Sequence, residues 1–161
     1  SLSISIANML IDEVANEVTP KTPLFVALSD YKTKSGMEIV SAYKSAASPE
    51  SEFDLSDSET LLNQIGYTLL YDERSDDAIE VFSLNTQLFP ASPNTFDSLG
   101  EALLTSGNLV AALENYRRVL HIDPENDHAR RMAHEIHPRL HQSDASPEAQ
   151  QEHTPTEDVG N

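Results

Sequence analysis

The stretch that decides the fold is Asp97–Asn108, "DSLGEALLTSGN", read with its echo 34 residues upstream, Asn63–Arg74, "NQIGYTLLYDER". Leu99-Gly100 answers Ile65-Gly66, and Leu103-Leu104 answers Leu69-Leu70. With Gly66 laid over Gly100, Glu59–Ser92 falls on Pro93–Asn126 without a gap, giving two units of 34 residues. The second unit carries Phe96, Leu99, Gly100 and Leu103, then Ala112, Tyr116 and Pro124. The first carries Leu62, Ile65, Gly66 and Leu69, then Ala78, Phe82 and Pro90. A period of this length marks a supersecondary unit that cannot bury its own apolar face and is stacked to do so.

Each position in the pattern has a physical reason. Glycine inside a helical run costs about 1 kcal/mol relative to alanine, so Gly66 and Gly100 predict close packing of a first helix on its partner. Ala78 and Ala112 are read as the small residues that let the second helix approach that glycine. Phe82 and Tyr116 follow one turn later on the same face. Pro90 and Pro124 stop the second helices. Start signals agree: Ser56 with Glu59 reads as a capping box, Ser92 precedes Pro93, Asn108 follows Gly107, and Ser75 precedes Asp76 and Asp77. This pattern resembles the tetratricopeptide repeat, with Leu62 where Trp is usual and Leu103 where Tyr is usual.

Two units fall short of the roughly three that a stable stack needs. Upstream, "TPLFVALSDYKTKSGMEIVSAYKSA" reads as a degenerate hairpin, with helices over Pro23–Lys34 and Met37–Ala47 and a turn at Ser35-Gly36. In the linker 48–55, Phe53 and Leu55 are expected to tuck against a helix. Downstream, Asp127–His137 is charged except for Ala129, Met132, Ala133 and Ile136, as expected of a capping helix, and Pro138 is expected to end it. The fold class expected is all-α, a short superhelical array of antiparallel hairpins. Its parts are an N-terminal amphipathic helix or connector (1–20), the degenerate hairpin and linker (21–55), two repeats (56–92 and 93–126), the capping helix (127–141) and an acidic, disordered tail (142–161).

Composition narrows the function classes. The chain has 161 residues, 39% hydrophobic, a mean hydropathy of −0.40 and a net charge of −17. That charge disfavours nucleic acid and anionic membrane surfaces, which attract basic patches. No stretch approaches the roughly 18 consecutive apolar residues of a membrane span. The start, "SLSISIANMLIDEVANEV", lacks a basic leader and reads as a poor signal peptide. It begins without Met, which points to a chain processed or cut from a longer one. With no cysteine, disulfides, thiolate metal sites and cysteine nucleophiles are absent together.

Two Ser-x-x-Lys matches, Ser29–Lys32 and Ser41–Lys44, lack the partner motifs that would build a penicillin-recognising site. His134, His137 and His141 have helical spacing but no accompanying thiolate or carboxylate set. The chain is therefore expected to be no enzyme and to need no cofactor or metal. First helices line the concave face of such arrays, which makes Asn63, Tyr67, Leu70, Asp97, Glu101 and Leu104 groove candidates, with Arg131 and Glu135 on the cap. The pocket best known in the repeat family clamps a terminal carboxylate with Lys, Arg and Asn. Only Asn63 fits that pattern, and Asp97 and Glu101 have the wrong sign. The expected partner is a protein or peptide of basic or polar character, or another part of the same polypeptide.

The repeats also have a dialect. "GYTLL" followed by "DDAIEVFSLNTQLFPASPNTFDSLGEALLTSGNLVAALENYRRVLHIDPEN", and upstream "GMEIVSAYKSA", is similar to the C-terminal repeat region of bacterial serine β-lactamase-like hydrolases. The resemblance covers roughly residues 4–137. It implies an accessory interaction module of such an enzyme, in the periplasm or cell envelope if attached and in the cytoplasm otherwise. The alternative is a structural or oligomerisation domain that packs on the parent hydrolase or on another copy of itself.

Overall fold

The computed structural model describes residues 21–143, with side chains to Leu140. The expected helix over 1–20 and nearly all of the expected tail lie outside the described residues. Antiparallel helices follow one another along the chain. They are α1 (Leu24–Ala27), α2 (Gly36–Ala46), α3 (Ser58–Tyr71), α4 (Ser75–Leu88), α5 (Pro93–Thr105), α6 (Leu109–Ile122) and α7 (Asp127–Ser143). From α3 onward each packs on the next, whereas α2 packs on α4. Two short parallel segments, β1 (Thr22–Pro23) and β2 (Phe53–Asp54), pair with each other.

The repeat positions build the core. Leu62, Ala78, Phe82, Ala112 and Tyr116 are fully buried, and Phe96 is half-buried under the Arg118 guanidinium, 5.5 Å from its ring centre. What meets each glycine is the aromatic ring rather than the expected alanine. A Cβ on Gly66 would lie 2.5 Å from Phe82 Cε1, and one on Gly100 would lie 3.1 Å from Tyr116 Cζ. The ring fills the notch that each glycine leaves. Pro90 and Pro124 are exposed and stand just past the ends of α4 and α6. Gly107, at φ +83°, makes the left-handed turn between α5 and α6.

The start signals divide. The Asn108 side chain caps α6 by accepting from Ala111 N–H at 3.2 Å. The expected Ser56–Glu59 box does not form; α3 starts behind Asp57, and the Glu59 carboxylate instead accepts from Ser92 Oγ at 2.6 Å, tying two units together. Ser92 does precede α5, but its hydroxyl is committed to that tie. Ser75 opens α4 as expected, with Asp76 and Asp77 in its first turn. A capping box absent from the sequence-based expectations, Ser35 with Glu38, opens α2.

The degenerate hairpin departs most from expectation. Pro23–Lys34 is not one helix but a single turn, α1, followed by a 3-10 turn at Tyr31–Thr33. Hydroxyls compete with the helical ladder there: Ser29 Oγ donates to Val26 O at 3.0 Å and Thr33 Oγ1 to Asp30 O at 3.0 Å. The hairpin is held to the array by packing of α2 on α4, with Ile39, Tyr43 and Ala46 in the core, and by Arg74, whose guanidinium donates to the carbonyls of Lys32 and Lys34 and pairs with Asp77. Asp77 in turn accepts from Gly36 N–H at 2.6 Å. Burial works against the Asp77 anion, but these donors win and hold its carboxyl below the usual range.

At the other end Pro138 does not stop α7, which runs on to Ser143. Met132, Ala133 and Ile136 before the proline and Leu140 after it pack on the core, so tertiary contact holds the helix across the missing N–H.

Candidate ligand-binding face

The first helix of each unit contributes one strip to a common face. From α3 come Asn63, Tyr67 and Leu70, and from α5 come Asp97, Ser98, Glu101 and Leu104. The start of α7 adds His128. Neighbouring strips are stitched by side chains: Ser98 Oγ donates to Asn63 Oδ1 at 2.7 Å and Tyr67 O–H to Glu101 Oε2 at 2.9 Å. The Tyr67 ring stands edge-on to Phe82, with centres 5.2 Å apart, so the core fixes where its hydroxyl points. Burial pushes the Tyr67 phenol up to about 12, with Ser98 opposing and Glu101 reinforcing the shift.

Deeper in the face, polar groups stand without partners. The Tyr116 side chain is fully buried, and its hydroxyl has no hydrogen-bond partner among the described residues. Asp97 Oδ1 is likewise buried and without a hydrogen bond. Its neighbour is His128 Nε2 at 3.7 Å, inside ion-pair range but beyond hydrogen-bond length. Burial raises the Asp97 carboxyl above its ordinary value; His128 opposes this and Glu101 adds to it. Burial also raises the Tyr116 phenol, helped by the charges of Asp97 and Glu101. The His128 and Tyr116 rings lie 6.0 Å apart.

Beside this group a cleft of about 280 Å³ is lined by Tyr67, Leu70, Tyr71, Glu101 and Thr105, with Tyr71 86% exposed at its edge. Leu104 is half-buried and packs on the core rather than opening to the cleft. Arg131 and Glu135 are not brought to it. They line a separate cleft of about 300 Å³ on α7 with Arg130 and His134. No hydrogen bond or ion pair among the described residues joins them to Asp97 or Glu101. Sequence reading missed His128, Ser98, Tyr71 and the polar end of Tyr116. The 34-residue register pairs Asp97 with Arg131 and sets His128 against Asn94 and Thr60, so spacing alone does not point to His128.

Ser29 spends its hydroxyl on the Val26 carbonyl, and the described residues hold no group of three His, Asp or Glu placed to bind a metal. Solved structures with the same architecture include a MamA mutant, at 16% identity and TM-score 0.55 over 75% of this chain and 85% of that one. The Sgt2 tetratricopeptide domain from Aspergillus fumigatus matches at 17% identity and TM-score 0.52, over 84% of this chain and 83% of its own. The fold is that of a tetratricopeptide-repeat array. No protein-family model and no curated protein matches the chain. Of the three buried polar atoms without a hydrogen bond among the described residues, Asp97 Oδ1 and the Tyr116 hydroxyl belong to the group beside His128, and Asn85 Oδ1 lies apart on α4.

Proposed function

We propose that this array is a protein-interaction module without catalysis of its own, and that the face formed by α3, α5 and α7 holds an extended, basic or polar segment of another protein. The observation that carries the reading is the cleft beside Tyr67 and Glu101. A nearly fully exposed aromatic, Tyr71, borders an anionic group and a half-buried phenol whose position is fixed by the core. Stacked helices hold that surface in place, so ordering costs fall mainly on the guest. In keeping with the resemblance of the repeats, the module belongs behind a bacterial serine hydrolase domain.

Selection of a displayed random-peptide library on the full chain, followed by binding assays with Tyr67→Ala and Glu101→Arg, tests the first part. Enriched peptides should carry basic residues and lose most of their affinity for both variants. No enrichment, or peptides that bind the variants equally, would overturn it and favour a purely structural domain. Blotting native cells with an antibody to residues 59–126 tests the second part: a band several tens of kDa above the 17.8 kDa of this chain is expected, and a band at that mass refutes it.

A further inference from the structure

We infer that Asp97, Tyr116 and His128 form a gated pocket for one alkylammonium or guanidinium group, the side chain of a lysine or arginine in the bound segment. The inference rests on the reading of this face as a peptide site and adds to it the residue type that anchors the peptide.

Two buried polar atoms without partners flank His128, Asp97 Oδ1 at 3.7 Å from its Nε2 and the Tyr116 side chain with its ring centre 6.0 Å from the imidazole, and each forfeits the hydrogen bonds it had in water. Asp97 Oδ1 accepts only, and the Tyr116 hydroxyl accepts as well as donates. An ammonium brings three donors and a guanidinium five, so either satisfies both atoms at once. An anion would meet Asp97 and Glu101, and an apolar guest would leave both atoms unpaired. A water molecule could bond to the atoms but would leave the charge of Asp97 unmatched.

Among the described residues no lysine or arginine is ion-paired with Asp97. The ion pairs that lysine and arginine make in this set are Lys34–Asp30, Arg74–Asp77 and Arg130–Asp127, all on other carboxylates. His128 is the gate. Its side chain is 49% exposed and its Nε2 stands 3.7 Å over Oδ1, close enough to cover the oxygen and too far to satisfy it. A rotamer change moves it aside. Glu101, whose carboxylate is held by Tyr67, supplies a second negative charge at the rim.

The test uses the full chain labelled with nitrogen-15 and two capped pentapeptides, Ala-Ser-Lys-Ser-Ala and the same peptide with norleucine for lysine. The lysine peptide should shift the amides of Asp97, Ser98 and His128 saturably, and the norleucine peptide should bind about tenfold more weakly or worse, as loss of charged hydrogen bonds implies. Asp97→Asn should erase the difference, Tyr116→Phe should narrow it, and His128→Ala should keep or widen it. Equal affinity of the two peptides for the wild type overturns the pocket but leaves the peptide-binding face standing, and this comparison needs no variant to fold. A preference retained in Asp97→Asn and lost in Glu101→Gln moves the cation to the rim and also overturns the pocket. If neither peptide shifts the face and library selection enriches nothing, the wider reading falls as well.

Discussion

The two repeat glycines have the same pattern position but unequal space, and alanine should separate them. Alanine in place of either one gains about 1 kcal/mol of helix propensity. At Gly66 the new Cβ would lie 2.5 Å from Phe82 Cε1 and 2.6 Å from Cζ. Carbon contacts are favourable at about 3.5–4.0 Å, so the shortfall is roughly 1 Å. Phe82 is fully buried, with Tyr67 against it at 5.2 Å, and has no free direction of retreat. A shortfall of roughly 1 Å against a ring with no room to move belongs at the upper end of overpacking costs, about 2–3 kcal/mol, so Gly66→Ala should lose about 1–2 kcal/mol net after the gain in propensity. At Gly100 the nearest atom is Tyr116 Cζ at 3.1 Å, and a shift of a few tenths of an ångström suffices. Gly100→Ala should therefore stay within about 0.5 kcal/mol of wild type, gain and strain nearly cancelling. Urea unfolding of the full chain reads both through the midpoint and slope. Phe82→Leu should rescue Gly66→Ala, with a coupling of about 1 kcal/mol or more in the double-mutant cycle. A Gly66→Ala protein as stable as wild type, or a loss that is undiminished when Phe82→Leu is added, would refute the ring-in-notch argument.

Arg74→Ala should cost about 2–3 kcal/mol by removing charged hydrogen bonds to the Lys32 and Lys34 carbonyls and the partner of Asp77. Hydrogen exchange should show the loss in α2 before the repeats, and a uniform loss would speak against the docking role. Asp97 links stability to pH. Its folded carboxyl value is raised, first by burial, so between the unfolded value near 3.9 and the folded one the native state keeps a proton that the unfolded chain has released. Stability then falls as pH rises through that window. Asp97→Asn should therefore melt higher than wild type at neutral pH, with the gap closing towards acid; a gap that does not change with pH would refute this.

What the sequence made legible was whatever repeats. Two helical hairpins, their proline stops and the turn at Gly107 follow from spacing, because each copy faces the same packing problem. The first arm of the degenerate hairpin, Pro23–Lys34, reads as one helix, and the structure gives two short turns in its place. What breaks it is local, the hydroxyls of Ser29 and Thr33 turning back on carbonyls three residues earlier. The stop expected at Pro138 fails for the opposite reason, since a local rule yields to tertiary contact on both sides of the proline. For the face, spacing identifies Asn63, Tyr67, Asp97 and Glu101 as neighbours in register. It does not say that the Tyr116 hydroxyl ends beside them, because the aromatic position of the repeat is defined by packing and says nothing of the far end of the ring.

The register also explains why Asp97 stands open to a guest. Between α3 and α5 the stitched pairs are 34 and 35 residues apart, Tyr67 to Glu101 and Asn63 to Ser98. By the same step Asp97 would meet Arg131, a permanent cation that would close the site from within. The cap instead brings His128 to Asp97, 31 residues on, and leaves Arg131 on the separate cleft of α7. Three residues are nearly one helical turn, so the side chain that reaches Asp97 stands about a turn before the position the repeat register picks. The substitution of a titratable imidazole for a guanidinium is what leaves the carboxylate partly matched, at a cost in stability that a basic side chain from outside can offset.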